Sequence, residues 1–235
     1  MSLTLLLSPN DPTTLKLERS SLKEQTTELL RSYIIGGRLP PGTKLVERTL
    51  ADLLGTSRMP VRDALMDLER EGLVISRPNG RYVIELDQPA VENLFQLRLV
   101  LERLAVEQAT ANGTTAHCTA LLANLQQMQE AIRLDDGDAY ARSDLEAHQL
   151  IWQQARNPYL LKMLNSIVGP IFMFIANQTE VRSNWHETLQ MHQELAAAIC
   201  AGNVARAVAS IEEQLRYSCQ LSLRAFEQTA AAVAE

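Results

Sequence analysis

Two arginines flank a proline in the segment Thr56–Leu65, which reads TSRMPVRDAL, where a helix is predicted to start. A proline is tolerated in the first turn of a helix, because those N–H groups have no acceptor inside the helix. Ser57 is a suitable N-terminal cap, which makes Arg58 the first helical residue and places Arg62 one turn later on the same face. Free N–H groups and guanidinium groups at the positive end of a helix dipole predict a site for a phosphate or a base edge. The alternative is a capped helix whose charges face solvent.

A carboxylate and an imidazole lie four residues apart in the segment DLEAH, where Asp144 and His148 share one face of a predicted helix. Such a pair can hold one divalent metal ion. His192, in the segment QMHQELAAAICAGN, is a further imidazole. The alternatives are an ordinary polar pair on a helix surface and a small metal-dependent hydrolase that uses these three residues. The hydrolase is disfavoured, because no glutamate stands beside them as an obvious general base.

The arginine segment belongs to a pattern of three predicted helices followed by a hairpin. Helical spacing begins at Ser21, a second short helix is predicted in ERTLADLLG, and the third starts at Arg58. The β-branched runs LVIS and RYVIEL flank RPNG, which predicts a hairpin with Asn79 and Gly80 at its turn. This order of elements is that of a winged helix-turn-helix, whose third helix enters the DNA major groove.

After residue 86 the sequence predicts only helices. Asp87 caps the first of them, whose apolar positions form one stripe from Val91 to Leu104; we interpret the stripe as core, with a dimer face as the alternative. Five more helices are predicted at about 115–134, 138–155, 158–178, 184–201 and 203–230. The predicted fold class is mainly α, with an N-terminal winged helix-turn-helix and a C-terminal bundle of six helices. The predicted domains are a flexible N-terminal arm, a DNA-binding domain, and a helical domain for effector binding and dimerisation, at residues 1–18, 19–86 and 87–235.

The stretch GRLPPGTKLVERTLADLLGTSRMPVRDALMDLEREGLV closely resembles the DNA-binding domain of the GntR family of bacterial transcription regulators. The predicted bundle resembles the FCD ligand-binding domain of the FadR-like branch of that family. The stretches that carry this second resemblance are LFQLRLVLERLAVEQAT, DLEAHQLIWQQARNPYLLKML and HQELAAAICAGNVARAVASIEEQL. The resemblance implies a transcription regulator, not an enzyme, that binds a palindromic operator as a homodimer. Repression that a small molecule relieves is the implied behaviour, with activation as the alternative.

By that resemblance, DNA contacts come from an arginine of the second helix, the N-terminal turn of the third helix and the wing tip. The corresponding residues here are Arg48, Ser57, Arg58, Met59, Pro60, Arg62, Asn79, Gly80 and Arg81. Met59 stands where the family often has a threonine that touches DNA, which leaves the base preference there open. The alternative for Arg81 is a hairpin charge that faces solvent.

The effector site implied by the resemblance consists of Arg98, Asp144, His148, His192 and Gln214. Asp144, His148 and His192 would bind one divalent ion of the zinc or nickel class, but metal-binding members have a histidine where this chain has Gln214. An amide oxygen is a weaker ligand than imidazole. A weakened metal site, an amide-completed site and a pocket without metal therefore all stay open.

The effector implied by the resemblance is a small organic acid whose carboxylate binds Arg98. The alternative for Arg98 is a salt bridge to Glu102, four residues along the same helix. A metal-free regulator that responds to acyl-CoA or a fatty acid is the second functional interpretation. The apolar segment 172–174 is interpreted as core, with a pocket wall as the alternative.

Composition and charge indicate a soluble globular protein. The chain has 235 residues, of which 46% are hydrophobic and 21% charged, and a net charge of −6. Residues 16–85 carry 12 Lys and Arg against 10 Asp and Glu, whereas residues 86–235 carry 10 against 17. The short apolar patch Leu3–Leu7 predicts neither a signal peptide nor a membrane anchor. Cys118, Cys200 and Cys219 are scattered, which predicts reduced thiols in a cytoplasmic protein.

Overall fold

The structure, a computed structural model, describes residues 22–176 and 184–234, so the predicted arm and the last residues of the predicted helix 158–178 lie outside the described residues. Within those ranges, the helices are α1 Leu22–Ile35, α2 Glu47–Leu53, α3 Arg58–Arg70, α4 Gln88–Ala111, α5 Thr115–Leu134, α6 Gly137–Gln154, α7 Pro158–Ala176, α8 Trp185–Cys200 and α9 Val204–Ala234. The strands are β1 Lys44–Leu45, β2 Val74–Arg77 and β3 Gly80–Val83. The predicted mainly α fold is confirmed.

The first three helices and the sheet enclose one hydrophobic core. Val61, Leu65 and Leu68 of α3 are fully buried in it. The sheet has the antiparallel order β1-β3-β2. Strand β1 was missed by the sequence analysis, because two residues are too few to show an alternating pattern. The arrangement is a winged helix-turn-helix with β2 and β3 as the wing.

The wing turns through Pro78 and Asn79, since Arg77 pairs directly with Gly80 across the hairpin. Gly80 has a φ of +137°, which side-chain-bearing residues rarely adopt, and a Cβ atom added there would lie 3.1 Å from Cε of Lys44. The predicted hairpin is confirmed, with Gly80 as the first residue of β3 rather than a residue of the turn.

Helices α4 to α9 form the predicted six-helix bundle. Its core includes Trp152, Leu164 and Ile211, none of which is more than 1% exposed. Helix α4 begins after Asp87, whose side chain accepts a hydrogen bond from the N–H of Ala90, as the sequence predicted. The bundle thereby places α4, α6, α8 and α9 around the residues of the predicted effector site.

The apolar stripe of α4 divides into a buried and an exposed part. Val91 is only 1% exposed, whereas Leu97 is 53% and Leu104 40% exposed. Val100, between them on the exposed side, is 67% exposed. The interpretation of the stripe as core therefore holds for Val91, while three large apolar side chains of this helix lie at the surface.

Helix α7 contributes to more than one core. Met173, 1% exposed, packs in the core of the winged helix-turn-helix, while its neighbour Phe172 packs in the core of the bundle. Among the described residues, α7 is the one helix long and apolar enough to cross a membrane, with a mean hydropathy of 1.4 over Pro158–Ile175. Buried helices of soluble proteins have the same character, and the interpretation of segment 172–174 as core is confirmed for Phe172 and Met173.

Backbone also approaches backbone closely where α7 meets the turn after α3. A Cβ atom added at Gly72 would lie 2.8 Å from the carbonyl oxygen of Ser166, and one added at Gly169 would lie 3.0 Å from that of Glu71. Two glycines therefore permit the end of α3 and the middle of α7 to lie against each other.

Cys118 of α5 and Cys200 of α8 form a disulfide, with Cα atoms 5.6 Å apart. The prediction of three reduced thiols is therefore wrong for this pair, while Cys219 is free. The two cysteines are 82 positions apart in the chain and meet only because α5 packs against α8. Their spacing in the sequence gives no sign of the bridge.

Candidate functional site

The N-terminal turn of α3 lies at the protein surface. Ser57 occupies the N-cap position with extended backbone angles, although its side chain makes no capping hydrogen bond. Arg58, Met59 and Arg62 are exposed, and Met59 has 64% of its surface in solvent. Pro60 is the third residue of the helix, where it displaces no hydrogen bond. The exposed turn thus offers two guanidinium groups and one apolar side chain to a ligand.

Glu47, the first residue of α2, joins three parts of this surface. Its carboxylate lies 3.9 Å from Nη2 of Arg58 and accepts a hydrogen bond of 2.9 Å from Nη1 of Arg81. The starts of α2 and α3 and the wing strand β3 therefore converge. Arg48, the next residue of α2, has 82% of its side chain exposed, with the carboxylate of Asp52 4.0 Å away.

Arg81 does not have the exposed position that its place in the hairpin suggested. Only 20% of its side chain is exposed, because its guanidinium lies between Glu47 and Glu69, the latter at 3.6 Å. The group braces the wing against α2 and α3. Most of its side chain is therefore buried, and its charge is paired rather than free in solvent.

Two basic residues of the sheet, Arg77 on β2 and Lys44 on β1, were not singled out in the sequence. Arg77 and Lys44 are exposed and place their charges over the ring of Tyr82, at 5.2 Å and 5.8 Å from the ring centroid. The available signal was the position of Arg77 directly before the turn, beside the exposed Asn79. These residues and the α2–α3 residues form the surface that we call the arginine face: Lys44, Arg48, Arg58, Arg62 and Arg77.

In the bundle, the structure brings the predicted effector-site residues together from four helices. Asp144 and His148 lie on α6 and His192 on α8, with one donor atom of each within 4.8 Å of the others. The rings of His148 and His192 are 5.4 Å apart and nearly perpendicular. Both histidines are buried, as is Gln214 on α9. The chain thus forms a closely spaced set of nitrogen and oxygen donors in the interior of the bundle.

His192 is oriented by two hydrogen-bonding partners. Its Nδ1 atom lies 2.8 Å from the carbonyl oxygen of Thr188, and its Nε2 atom lies 2.9 Å from the carboxylate of Asp144. A backbone carbonyl can only accept, so Nδ1 carries a proton and donates it to Thr188. Burial favours a higher pKa for Asp144, but the hydrogen bond and charge of His192 outweigh it and lower that pKa.

His148 is oriented by Glu102, which is fully buried on α4. The Nδ1 atom of His148 lies 2.6 Å from Oε2 of Glu102, and the indole N–H of Trp152 donates to the same oxygen at 3.3 Å. Burial alone would raise the pKa of Glu102, but Arg98 and His148 outweigh it and lower the pKa to about 2. Burial, with a contribution from the charge of Arg98, lowers the pKa of His148, so the ring is neutral and Nδ1 donates to Glu102.

Arg98 is 2% exposed and lies between Glu102 and His148. Its Nε atom donates to Glu102, which is the salt bridge that the sequence analysis gave as the alternative for this residue. Its Nη2 atom lies 3.1 Å from Nε2 of His148, and its guanidinium carbon lies 5.0 Å from the ring centroid of Phe172. The sequence analysis named Glu102 only as a partner of Arg98 and missed its contact with His148, 46 positions away.

The hydrogen bonding of Gln214 indicates whether these residues could bind a metal ion. Its Oε1 atom is buried and has no hydrogen-bond partner among the described residues, while its Nε2 atom lies 2.8 Å from Nε2 of His192. A buried amide oxygen without a donor can accept an electropositive partner. Together with Asp144 and the two imidazoles, it makes a set of nitrogen and oxygen donors that fits a divalent ion of the zinc or nickel class.

Two domain families match this chain. The family described as "Bacterial regulatory proteins, gntR family" matches residues 22–84, and the FCD domain matches residues 93–217, more than half of the chain. The chain belongs to the GntR family. It is a DNA-binding transcription regulator with a C-terminal FCD domain, as the resemblance in the sequence implied.

Relatives of this GntR regulator include named repressors. It is 28% identical over 188 residues to the gluconate operon transcriptional repressor of Bacillus licheniformis, covering 78% of this chain and 77% of that protein. It is also 28% identical over 194 residues to the probable D-xylose utilization operon transcriptional repressor of Paenarthrobacter nicotinovorans, covering 82% and 85%. The solved structure of McbR/YncC from Escherichia coli shares the fold, with a TM-score of 0.76, 23% identity and coverage of 88% and 99%.

Proposed function

We propose that this GntR regulator is a cytoplasmic repressor that binds a palindromic operator as a homodimer and releases it when a small organic acid binds in the FCD domain. The observation that carries the proposal is the position of α7, which touches both the effector-site residues and the core behind the DNA-binding helix. The names of the two repressor relatives support the direction of the regulation.

The arginine face is the proposed DNA-binding surface. Arg58 and Arg62 can reach a guanine or phosphates from the N-terminal turn of α3, and Met59 between them can contact an apolar base edge such as a thymine methyl. Ser57 and Pro60 set the start of that turn, and Arg48 is placed for a phosphate. The wing tip at Asn79 and Gly80 approaches the neighbouring groove, with Arg81 holding the wing in position rather than contacting DNA.

The exposed part of the α4 stripe is the proposed dimer surface. Leu97, Val100 and Leu104 are spaced by three and four residues, so their side chains share one face of the helix. A second copy of this chain would cover them, and a two-fold pair of winged helices matches the two half-sites of a palindromic operator.

The proposed effector site is the donor set of Asp144, His148, His192 and Gln214 together with Arg98. The three predicted ligands and the amide oxygen of Gln214 would hold one divalent ion, which supplies a positive centre for a carboxylate when it is bound. Arg98 would bind the same carboxylate. The aromatic ring of Phe172, 5.9 Å from the ring of His148, bounds this site on the side of α7.

Helix α7 provides the proposed connection between the effector site and DNA. Phe172 contacts Arg98 and His148, while the next residue, Met173, lies in the core of the winged helix. Gly169 and Gly72 place the turn after α3 directly against α7. A displacement of Phe172 by an effector would therefore move the helix that supports α3, and with it the arginine face.

The test begins with selection of bound fragments from a random duplex library, followed by fluorescence anisotropy on the selected site. We expect a palindrome with half-sites one helical turn apart, and a loss of about 1–3 kcal/mol in binding free energy for Arg58→Ala. Arg70→Ala is the matched control, since Arg70 is exposed at the opposite end of α3. An equal loss for both variants, or no selected sequence, would contradict the proposed DNA-binding surface.

The metal-free interpretation predicts a different effector. Release of the selected operator by an acyl-CoA in the presence of a chelator, with no response to small carboxylates plus zinc, would favour a regulator of fatty-acid or acyl-CoA metabolism. The observation that supports this interpretation is the hydrogen bond from Nη2 of Arg98 to Nε2 of His148, at 3.1 Å, which uses the ring nitrogen that a metal ion would need.

A further inference from the structure

His148 has only one ring nitrogen with which it can bind a metal ion. Its Nδ1 atom is committed to Glu102 at 2.6 Å. The remaining atom, Nε2, lies 3.1 Å from Nη2 of Arg98, which can only donate. The lone pair of Nε2 is therefore the acceptor of a hydrogen bond from Arg98, and the same lone pair cannot bind a cation at the same time.

Arg98 is held in this position from several sides. Its Nε atom is paired with Glu102, and the guanidinium carbon lies 5.0 Å and 5.9 Å from the ring centroids of Phe172 and Phe95. The pairing with Glu102 does not involve Nη2. A tilt of the planar guanidinium about the hydrogen bond between Nε and Glu102 would therefore move Nη2 away from His148 without breaking that bond.

We propose that Arg98 and the metal ion compete for the same atom, Nε2 of His148. In the structure, Nη2 of Arg98 donates a hydrogen bond to Nε2 of His148. Coordination of a cation through Nε2 would release Nη2, which would then bind the carboxylate of the effector. The inference rests on the effector site proposed above and adds an order of binding to it. The cation binds first, and it creates the free donor that the carboxylate needs.

The exchange makes the two ligands cooperative. A released Nη2 group would be a buried donor without an acceptor, which is unfavourable until an anion reaches it. The cation therefore binds at the expense of one hydrogen bond, and a carboxylate restores a partner to Arg98. By linkage, the carboxylate must also strengthen the binding of the cation.

The experiment measures zinc affinity of the full-length, chelator-stripped protein, by competition with a chromogenic chelator and zinc salt alone. We expect Arg98→Met to bind zinc on the order of tenfold more tightly than the wild type, because the competing charged hydrogen bond is gone. Arg103→Met is the matched control, since Arg103 lies on the same helix, is exposed and also pairs with a glutamate four residues on. Its zinc affinity should equal that of the wild type.

Arg98→Lys separates the hydrogen bond from the charge and protects against loss of fold. It keeps a positive charge beside Glu102, but one ammonium group cannot make the two separated contacts that Nε and Nη2 make. We expect it to bind zinc more tightly than the wild type as well. If Arg98→Lys bound zinc no more tightly than the wild type while Arg98→Met bound it more tightly, the positive charge alone would explain the effect. That result would overturn the exchange.

Acetate serves as the carboxylate probe in the second measurement. Calorimetry should detect acetate binding by the zinc-loaded wild type, no binding by the zinc-free protein, and weaker binding by zinc-loaded Arg98→Met, which keeps the ion but lacks the guanidinium. Equal acetate affinity with and without zinc would overturn the proposed order.

The experiments distinguish failure of the proposed exchange from failure of the proposed metal site. Equal zinc affinity of wild type and Arg98→Met overturns the exchange and leaves the metal site standing. Zinc binding by neither protein removes the metal site itself and the exchange with it, while operator binding by the arginine face is measured independently. Zinc binding by Arg98→Met alone would be the strongest form of the expected result.

Discussion

At the scale of the residue, Glu102 was the least predictable of the residues that contact the proposed effector site. Its position four residues after Arg98 predicted a salt bridge on one helix, which the structure has. The sequence contains no indication that α6 would place His148 and Trp152 on the same carboxylate. The i to i+4 pair of Asp144 and His148 follows from helical geometry alone, whereas contacts between helices depend on how the helices pack.

Glu102→Gln is expected to destabilise the protein at neutral pH. The pKa of Glu102 is lowered from 4.5 to about 2 in the folded chain, so ionisation stabilises the fold above pH 4.5, and the stabilisation is lost as the pH falls towards 2. The expected decrease in the free energy of unfolding for the variant at pH 7 is about 3 kcal/mol. Chemical denaturation at pH 7 and pH 3 measures it, with Glu107→Gln, 39% exposed on the same helix, as the control. If the free energies of unfolding of wild type and Glu102→Gln differed by the same amount at both pH values, the assignment would be refuted.

Acid should weaken the wild-type fold already below pH 6.5 because of His148. Burial lowers the pKa of this ring in the folded chain, so the unfolded chain takes up a proton first as the pH falls. His148→Gln should therefore show a smaller decrease in the free energy of unfolding between pH 7 and pH 5 than the wild type. Denaturation curves over that range report the difference, and His186→Gln, at an exposed position on α8, should behave like the wild type.

Gln214→His is expected to strengthen the proposed metal site. An imidazole at this buried position on α9 would replace an amide oxygen that has no partner among the described residues. We expect zinc affinity to rise by at least about tenfold, because imidazole is the better ligand for zinc or nickel. Competition with a chromogenic chelator measures this rise, and Gln220→His, exposed on the same helix, is the control. No increase would show that Gln214 lies outside the coordination sphere.

At the scale of the element, helix positions could be predicted more fully than helix contacts. Helix α5 was predicted at 115–134 and is observed at Thr115–Leu134, because caps and periodicity mark its ends. Strand β1 was missed, and nothing in the sequence indicated that Met173 of α7 would pack among residues of the winged helix. Hydrophobic periodicity shows that a face is buried but does not show what it is buried against.

The contact between α3 and α7 can be tested at Gly72. Both Gly72 and Gly55 have positive φ values, of 75° and 62°, so alanine strains the backbone at either position. Only at Gly72 would the new Cβ also meet a backbone oxygen, at 2.8 Å, whereas nothing lies within 4 Å of it at Gly55. We expect Gly72→Ala to lower the free energy of unfolding by about 1–3 kcal/mol more than Gly55→Ala. Similar losses from the two variants in thermal denaturation would argue against a close interface.

At the scale of the whole molecule, the disulfide joins α5 to α8, the helix that carries His192 of the proposed effector site. The bridge between Cys118 and Cys200 closes a long loop that contains all of α6 and α7. The sequence predicted reduced thiols from compartment and spacing, and neither criterion could detect a pair that is formed by helix packing. Disulfides persist in oxidising compartments and are kept reduced by cytoplasmic thiol systems, so the redox state of this pair depends on the compartment.

Reduction of this bridge should lower stability without unfolding the protein at room temperature. We expect a loss of about 2–4 kcal/mol on addition of a thiol reductant, because the unfolded chain regains the freedom of the closed loop. The double variant Cys118→Ser, Cys200→Ser should match the reduced wild type and show no response to reductant, as followed by thermal denaturation. If the bridge did not contribute to stability, addition of reductant would leave the transition temperature of the wild type unchanged.

The burial of Met173 inside the winged helix also restricts how this regulator can be divided or recombined. A fragment that stopped at residue 86 would lose a side chain that is 1% exposed and would leave a hole behind the recognition helix. A chimaera of these first 86 residues with the helical domain of a relative would contain the same cavity, unless that domain placed a side chain of similar size where Met173 lies. Replacement of the helical bundle of this chain therefore requires that the winged helix and α7 be kept together.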